Sequence, residues 1–181
     1  MERFEESAFC REIEAFRLPR YADLPDFRLY IDQLIALVEK TLAPLMGADG
    51  EKWITATMVG NYARQGVIPR PEGKRYSRDH AAYLIFVCLT KQVIAIGDIQ
   101  RLIQVQQGTA FEVAVAYDYF CTELESILAH VFHGDPLRPD SSRTHARETR
   151  LVRSAGFAVA HKIYLSQYLR YLNAQEGSAD A

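Results

Sequence analysis

Between Asn61 and Arg78 the chain carries five cations, Arg64, Arg70, Lys74, Arg75 and Arg78, against a single anion, Glu72. The whole chain of 181 residues has a formal net charge of -2, so this excess is local. Lys and Arg gathered on a turn neutralise phosphates and release counterions, which gives affinity for a nucleic acid without sequence information. Directly before the cations lies a short helical pattern with side chains of base-reading type, Thr55, Thr57, Asn61 and Arg64. Asn suits adenine edges and Arg suits guanine edges. Tyr62 and Tyr76 have hydroxyls to offer phosphates and rings to pack the helix onto the turn. The candidate contact set is therefore Thr55, Thr57, Asn61, Tyr62, Arg64, Arg70, Lys74, Arg75, Tyr76 and Arg78, and the partner it implies is double-stranded DNA. The competing reading makes Tyr62, Ile68 and Tyr76 core, with Arg64, Lys74 and Arg75 a solvated rim.

The elements that must position these residues are helical, and no convincing strand alternation appears. A first helix is expected over about 3–17. A long one opens at Pro25-Asp26, with Phe27, Ile31, Leu34, Val38, Leu42 and Leu45 at three- and four-residue steps; it closes at Gly47, or a turn earlier at Pro44. Residues 47–53 read as a turn-rich linker. Thr55 or Thr57 caps the next helix, which stops at Gly66. Ser77 caps a nearly all-apolar helix, AAYLIFVCLTKQ, that belongs in the core. Gly97-Asp98 restarts the chain for a short helix from Ile99 to Val105. Thr109 to Glu112 has the capping-box spacing and predicts a long helix to about Phe132, closed by Gly134. After the loop GDPLRPDSS, a final helix is expected from about Ser142 to near Asn173, and 175–181 as a frayed tail. There is no internal repeat.

Asn61-Tyr62-Ala63-Arg64-Gln65-Gly66-Val67-Ile68-Pro69 resembles the end of the recognition helix and the Gly-Leu-x-x-Pro corner of MerR-type regulators. Lys74-Arg75-Tyr76-Ser77 resembles their basic wing and the cap that follows, and Ile96-Gly97-Asp98-Ile99 the start of their last small helix. A closer resemblance is to a bacterial family known as domain of unknown function 1836, described as MerR-like regulators. It rests on Leu29-Tyr30-Ile31-Asp32-Gln33, on Ile54 to Tyr62, on Lys74-Arg75-Tyr76 and on Ala160-His161-Lys162-Ile163-Tyr164-Leu165, and it covers most of residues 24–170. The resemblance implies an all-α fold: a MerR-like helix-turn-helix unit with a small basic wing, plus long flanking helices forming a bundle. It implies a DNA-binding transcriptional regulator, working as a homodimer on palindromic sites. Two departures stand out. Gly60 occupies a position where MerR proteins carry Arg, and a Gly-rich linker stands where they have a tight turn. Both shift the weight from base reading toward phosphate anchoring.

Other constellations read more plainly. Arg143, Arg147, Arg150 and Arg153 share a helix face and suit pairing with acidic residues, such as the Glu-rich residues 1–15, or a dimer interface; the alternative is an extension of the DNA footprint. Cys10, Cys88 and Cys121 are dispersed like buried thiols rather than a disulfide framework. His130 and His133 suit a helix C-terminus; no ligand set for a metal is completed, and no cofactor is implied. Phe111, Tyr117, Tyr119, Phe120, Phe132, Tyr164, Tyr168 and Tyr171 read as core packing or, alternatively, as the lining of an effector pocket for a small amphipathic molecule. No catalytic motif is present, which argues against an enzyme. No apolar run reaches eighteen residues and the N-terminus lacks a signal-peptide pattern, so a cytoplasmic protein without a membrane partner is expected. Residues 1–107 are expected to hold the DNA-binding unit, with its centre at 53–104, and 108–174 a dimerisation or effector layer. The alternative function is a helical protein-interaction module or a small-molecule-sensing regulator using the C-terminal helices.

Overall fold

The computed structural model describes residues 3–45, 52–109, 111–142 and 146–179. Among them the fold is all-α, with seven α-helices: α1 (Ala8–Ala15), α2 (Ile31–Leu42), α3 (Ala56–Arg64), α4 (Arg78–Thr90), α5 (Ile96–Gln107), α6 (Val113–His133) and α7 (Arg147–Ala179). Helix α4 is the axis. Ten of its thirteen residues are buried, as a helix apolar on all sides requires. It packs against α2, α5, α6 and α7, and Phe86 meets Phe120 of α6 edge-on with ring centroids 4.9 Å apart. One hydrophobic cluster runs from Phe4 to Ile163, and Cys10, Cys88 and Cys121 lie buried within it as free thiols.

Helices α6 and α7 run side by side in the same direction. Tyr119 bonds the Thr149 carbonyl at 3.3 Å, Glu123 pairs with Arg153 at 3.2 Å, and Phe132 meets Tyr164 at 5.2 Å, so the contacts advance together along both chains. A parallel pair needs a return path. Residues 134–142 supply it as an extended strap lying back along α6. Extended chain covers about 3.3 Å per residue against 1.5 Å in a helix, so a short strap retraces a long one. Pro136 and Pro139 keep the strap out of helical geometry. It is pinned by Ser141, whose N–H and hydroxyl both donate to the buried Glu123 carboxylate at 2.9 and 2.6 Å, and by the Arg138 N–H donating to Ser126 Oγ at 3.4 Å.

Several sequence-based boundaries shift, each for a local reason. The first helix is shorter than 3–17: a 3-10 turn, Phe4–Glu6, precedes α1, which Ser7 caps. The second begins at Ile31, not at Pro25-Asp26, because Leu29 is extended and bridged to Tyr76; Phe27 is accordingly exposed rather than part of the stripe. Pro44 does end it early, as the 3-10 turn Ala43–Leu45, while Gly47 and most of the 47–53 linker lie outside the described residues. Helix α5 starts three residues before Ile99. The capping box at Thr109 does not form. The Thr109 hydroxyl donates to the Gln106 carbonyl at 2.6 Å and accepts from the Phe111 N–H, finishing α5, and α6 begins only at Val113. At the other end α6 stops at Gly134, in the left-handed conformation, with the His130 ring nitrogen 2.8 Å from the Asp135 carbonyl. Helix α7 starts at Arg147, past the expected Ser142, and continues through Ala179.

Of the arginine stripe, Arg143 lies outside the described residues, and Arg153 pairs with Glu123 of α6 rather than with the acidic N-terminus. The aromatic set divides. Phe132, Tyr164, Tyr168 and Tyr171 pack around Phe4 and so seat the N-terminal turn on α7. Gly156 faces α6 closely, since a Cβ there would stand 3.1 Å from Ile127 Cδ1. A branched side chain there has to displace Ile127 in the packed seam, so Gly156→Val should lower stability by about 1–3 kcal/mol, read from urea unfolding.

Candidate functional site

Thr55 caps α3, accepting from the Met58 N–H at 3.3 Å, and the preceding Ile54 N–H donates to Glu39 of α2 at 2.9 Å. Val59, Tyr62 and Ala63 bury one side of the helix. Its C-terminus closes as a Schellman motif. Gly66 takes φ +72°, its N–H donates to the Ala63 carbonyl at 3.3 Å, and the Val67 N–H donates to the Tyr62 carbonyl at 2.9 Å. The chain leaves α3 with Val67 and Ile68 buried and turns outward at Pro69. Thr57, Gly60 and Arg64 are exposed along the outer side, with Asn61 half-buried. Arg64 donates to Asn61 Oδ1 at 2.9 Å, so the two side chains of base-reading type are already bonded to each other. Gly60 stands between them and Thr57 with nothing within 4 Å of an added Cβ, which leaves the middle of this face bare.

The basic segment forms a two-residue turn. Glu72 and Arg75 are bridged, with the Arg75 N–H donating to the Glu72 carbonyl at 3.0 Å. Gly73 and Lys74 at the tip have φ of +56° and +61°, the signature of a type I′ turn. Tyr76 then pairs with Leu29 through reciprocal backbone bonds of 2.8 and 2.9 Å. That pairing brings in residues which charge counting over 61–78 missed. Arg28 meets Glu72 at 2.7 Å, so the segment's one anion is already matched. Tyr30 lies under Arg75, whose guanidinium carbon is 3.6 Å from the ring centroid and which also donates to the Tyr30 hydroxyl. Tyr30 belongs to the Leu29–Gln33 motif, the one signal in the sequence that marked it.

The candidates separate by where the fold places them. Arg64 and Arg70 are exposed and face one open concavity of about 430 Å³ beside Gly66 and Gln107. Lys74 and Arg75 present their charge at the turn. Tyr62 and Tyr76 have buried rings; they hold helix and turn to the body. Arg78 is drawn inward, over the Tyr21 ring at 5.3 Å and toward the Pro25 carbonyl at 3.5 Å. Thr55 spends its hydroxyl on the helix cap.

The turn is anchored to α4 by a histidine. The Ser77 N–H donates to His80 Nδ1 at 3.0 Å, and Tyr76 meets the same ring edge-on at 5.3 Å. An accepting Nδ1 requires the neutral ring with its proton on Nε2, an atom that is buried near the Pro69 and Arg70 carbonyls without a hydrogen bond of good geometry. Burial pushes the His80 pKa below its ordinary value, outweighing those carbonyls and Asp79, which pull it up.

The family model described as Domain of unknown function (DUF1836) matches residues 19–120, more than half the chain. The chain belongs to this family. The matched span holds α2 to α5, the basic turn and the first part of α6; the resemblance noted at Ala160–Leu165 falls outside it. No curated protein and no solved structure matches the chain.

Two outcomes are expected of this geometry. Gly60→Ala, at an exposed helix interior with open space, should raise stability by about 0.5–1 kcal/mol, seen as a higher denaturation midpoint. His80 has a folded pKa below the unfolded value, so its contribution is whole above the unfolded pKa and is lost as pH falls below it. Stability should decline on acidification from neutral toward pH ~5, and His80→Gln should flatten that part of the pH profile.

Proposed function

We propose that this protein is a DNA-binding transcriptional regulator of MerR-like type, touching duplex DNA with the basic turn as a wing and with the outer face of α3. The observation that carries the reading is Lys74. A non-glycine residue in the left-handed region costs about 1–2 kcal/mol, and this turn keeps a lysine there, at its exposed tip. The cost is intelligible if the ammonium is wanted where it stands. The surroundings support the same reading: Arg28 matches Glu72, the anion of the turn itself, and Tyr30 holds Arg75 in place, so the turn keeps its positive charge. The bare stretch of α3 at Gly60 favours phosphate anchoring over base reading.

A second reading is favoured by a cavity. Phe111, Val115, Tyr119 and Val152 help line an open space of about 590 Å³ between α6 and the start of α7. It suits a small, largely apolar effector, and tight binding of such a compound with no affinity for DNA would favour this reading instead.

The DNA reading is tested by duplex affinity across salt concentrations. Binding should weaken steeply as salt rises, and removing Arg70 or Lys74 should each lower the slope of log K against log salt by about 1. Lys74→Gly gives the sharper result. Relief of the backbone should stabilise the fold by about 1 kcal/mol while duplex affinity falls. Absent or salt-insensitive duplex binding at low ionic strength overturns the proposal.

A further inference from the structure

The side of α7 turned away from the body carries Leu165, Leu169 and Leu172, which are 59%, 51% and 40% exposed. The opposite side, with Val159, Ala160, Ile163 and Gln167, is buried. Single exposed leucines are ordinary; three in one row are not. The row is bounded by two exposed charges, Lys162 and Glu176. From Lys162 through Leu165, Leu169 and Leu172 to Glu176 the steps are three, four, three and four, the spacing of one continuous helical seam.

The seam is complementary to itself in one direction only. Leu169 is its midpoint. Lys162 stands seven residues before it and Glu176 seven after, while Leu165 and Leu172 flank it at four and three. Two copies laid antiparallel across a two-fold axis at Leu169 bring Leu165 of each beside Leu172 of the other. They also set Lys162 against Glu176 at both ends, an isologous contact about 21 Å long at 1.5 Å per residue. A parallel pairing sets Lys162 against Lys162 and Glu176 against Glu176, which like-charge repulsion opposes. We propose that this face of α7 is the seam of a homodimer, and that its occupant is α7 of a second copy running antiparallel. The proposal does not rest on the DNA reading, though paired basic turns would follow from it.

Sedimentation equilibrium on the full chain tests it. The wild-type protein should be dimeric at concentrations on the order of 100 µM. Leu169→Glu should raise the dissociation constant at least about tenfold and leave the circular dichroism and melting curve of the monomer unchanged, because the side chain is half exposed there. Lys162→Glu and Glu176→Lys should each weaken the dimer, and the two together should restore it. A monomeric wild-type protein, a dimer indifferent to Leu169→Glu, or a double reversal no better than either single one overturns the proposal.

Discussion

The structure depends on the burial of α4. A helix with ten of thirteen residues out of water has no solvent face of its own, so the surrounding elements must cover it, and α2, α5, α6 and α7 do so from different sides. Apolar burial at about 25 cal/mol per Å² favours this closure strongly, and it fixes the site as a consequence. The chain enters α4 directly from the basic turn. Ser77, His80 and Tyr76 join that turn to the helix's first residues, while Leu29 pairs with Tyr76 on the other side. The charged turn is thus exposed at its tip and rigidly rooted at its base, as a surface that presents charge requires.

A second constraint acts at the far side. Because α6 and α7 run in parallel, the chain must retrace α6 before α7 begins, and residues 134–142 do so outside helical geometry. The buried Glu123 makes that possible. Its carboxylate takes two hydrogen bonds from Ser141 and the charge of Arg153, joining strap, α6 and α7 at one point. A buried carboxylate is tolerated only when it is satisfied in this way. The aromatic contacts of Phe4 then close the same end, tying the 3-10 turn before α1 to the second half of α7.

Much of the helical layout was legible because burial leaves a period in the sequence. The apolar run of α4, the stripe of α2 and the Gly66 and Gly134 stops follow from local rules. What was not legible was decided by contacts distant in sequence. Phe27 falls at the helical step of the α2 stripe, yet the bridge of the nearby Leu29 to Tyr76, forty-seven residues away, keeps this stretch out of the helix. Thr109 and Glu112 have capping-box spacing, but the Thr oxygen accepts from the Phe111 N–H while its hydroxyl donates back to the last turn of α5. The same holds for the site. Counting charge from Asn61 to Arg78 located the turn, yet it took in Arg78, which packs inward, and left out Arg28 and Tyr30, which the bridge at Leu29 delivers to the turn.

Those two additions bear on the chemistry more than the count of cations does. An arginine free in solvent gives up rotamer entropy when it grips a phosphate, on the order of 2 kcal/mol for a long side chain. Arg75 has surrendered part of that already by lying on Tyr30, and Arg28 holds Glu72 away from the neighbouring cations. Lys74, at the tip, is placed by the backbone of the turn. A turn made merely for solubility needs neither a stacked guanidinium nor a strained lysine, since exposed charges solvate well without them. Under the proposed reading, the arrangement is that of a surface ordered before an anionic partner arrives.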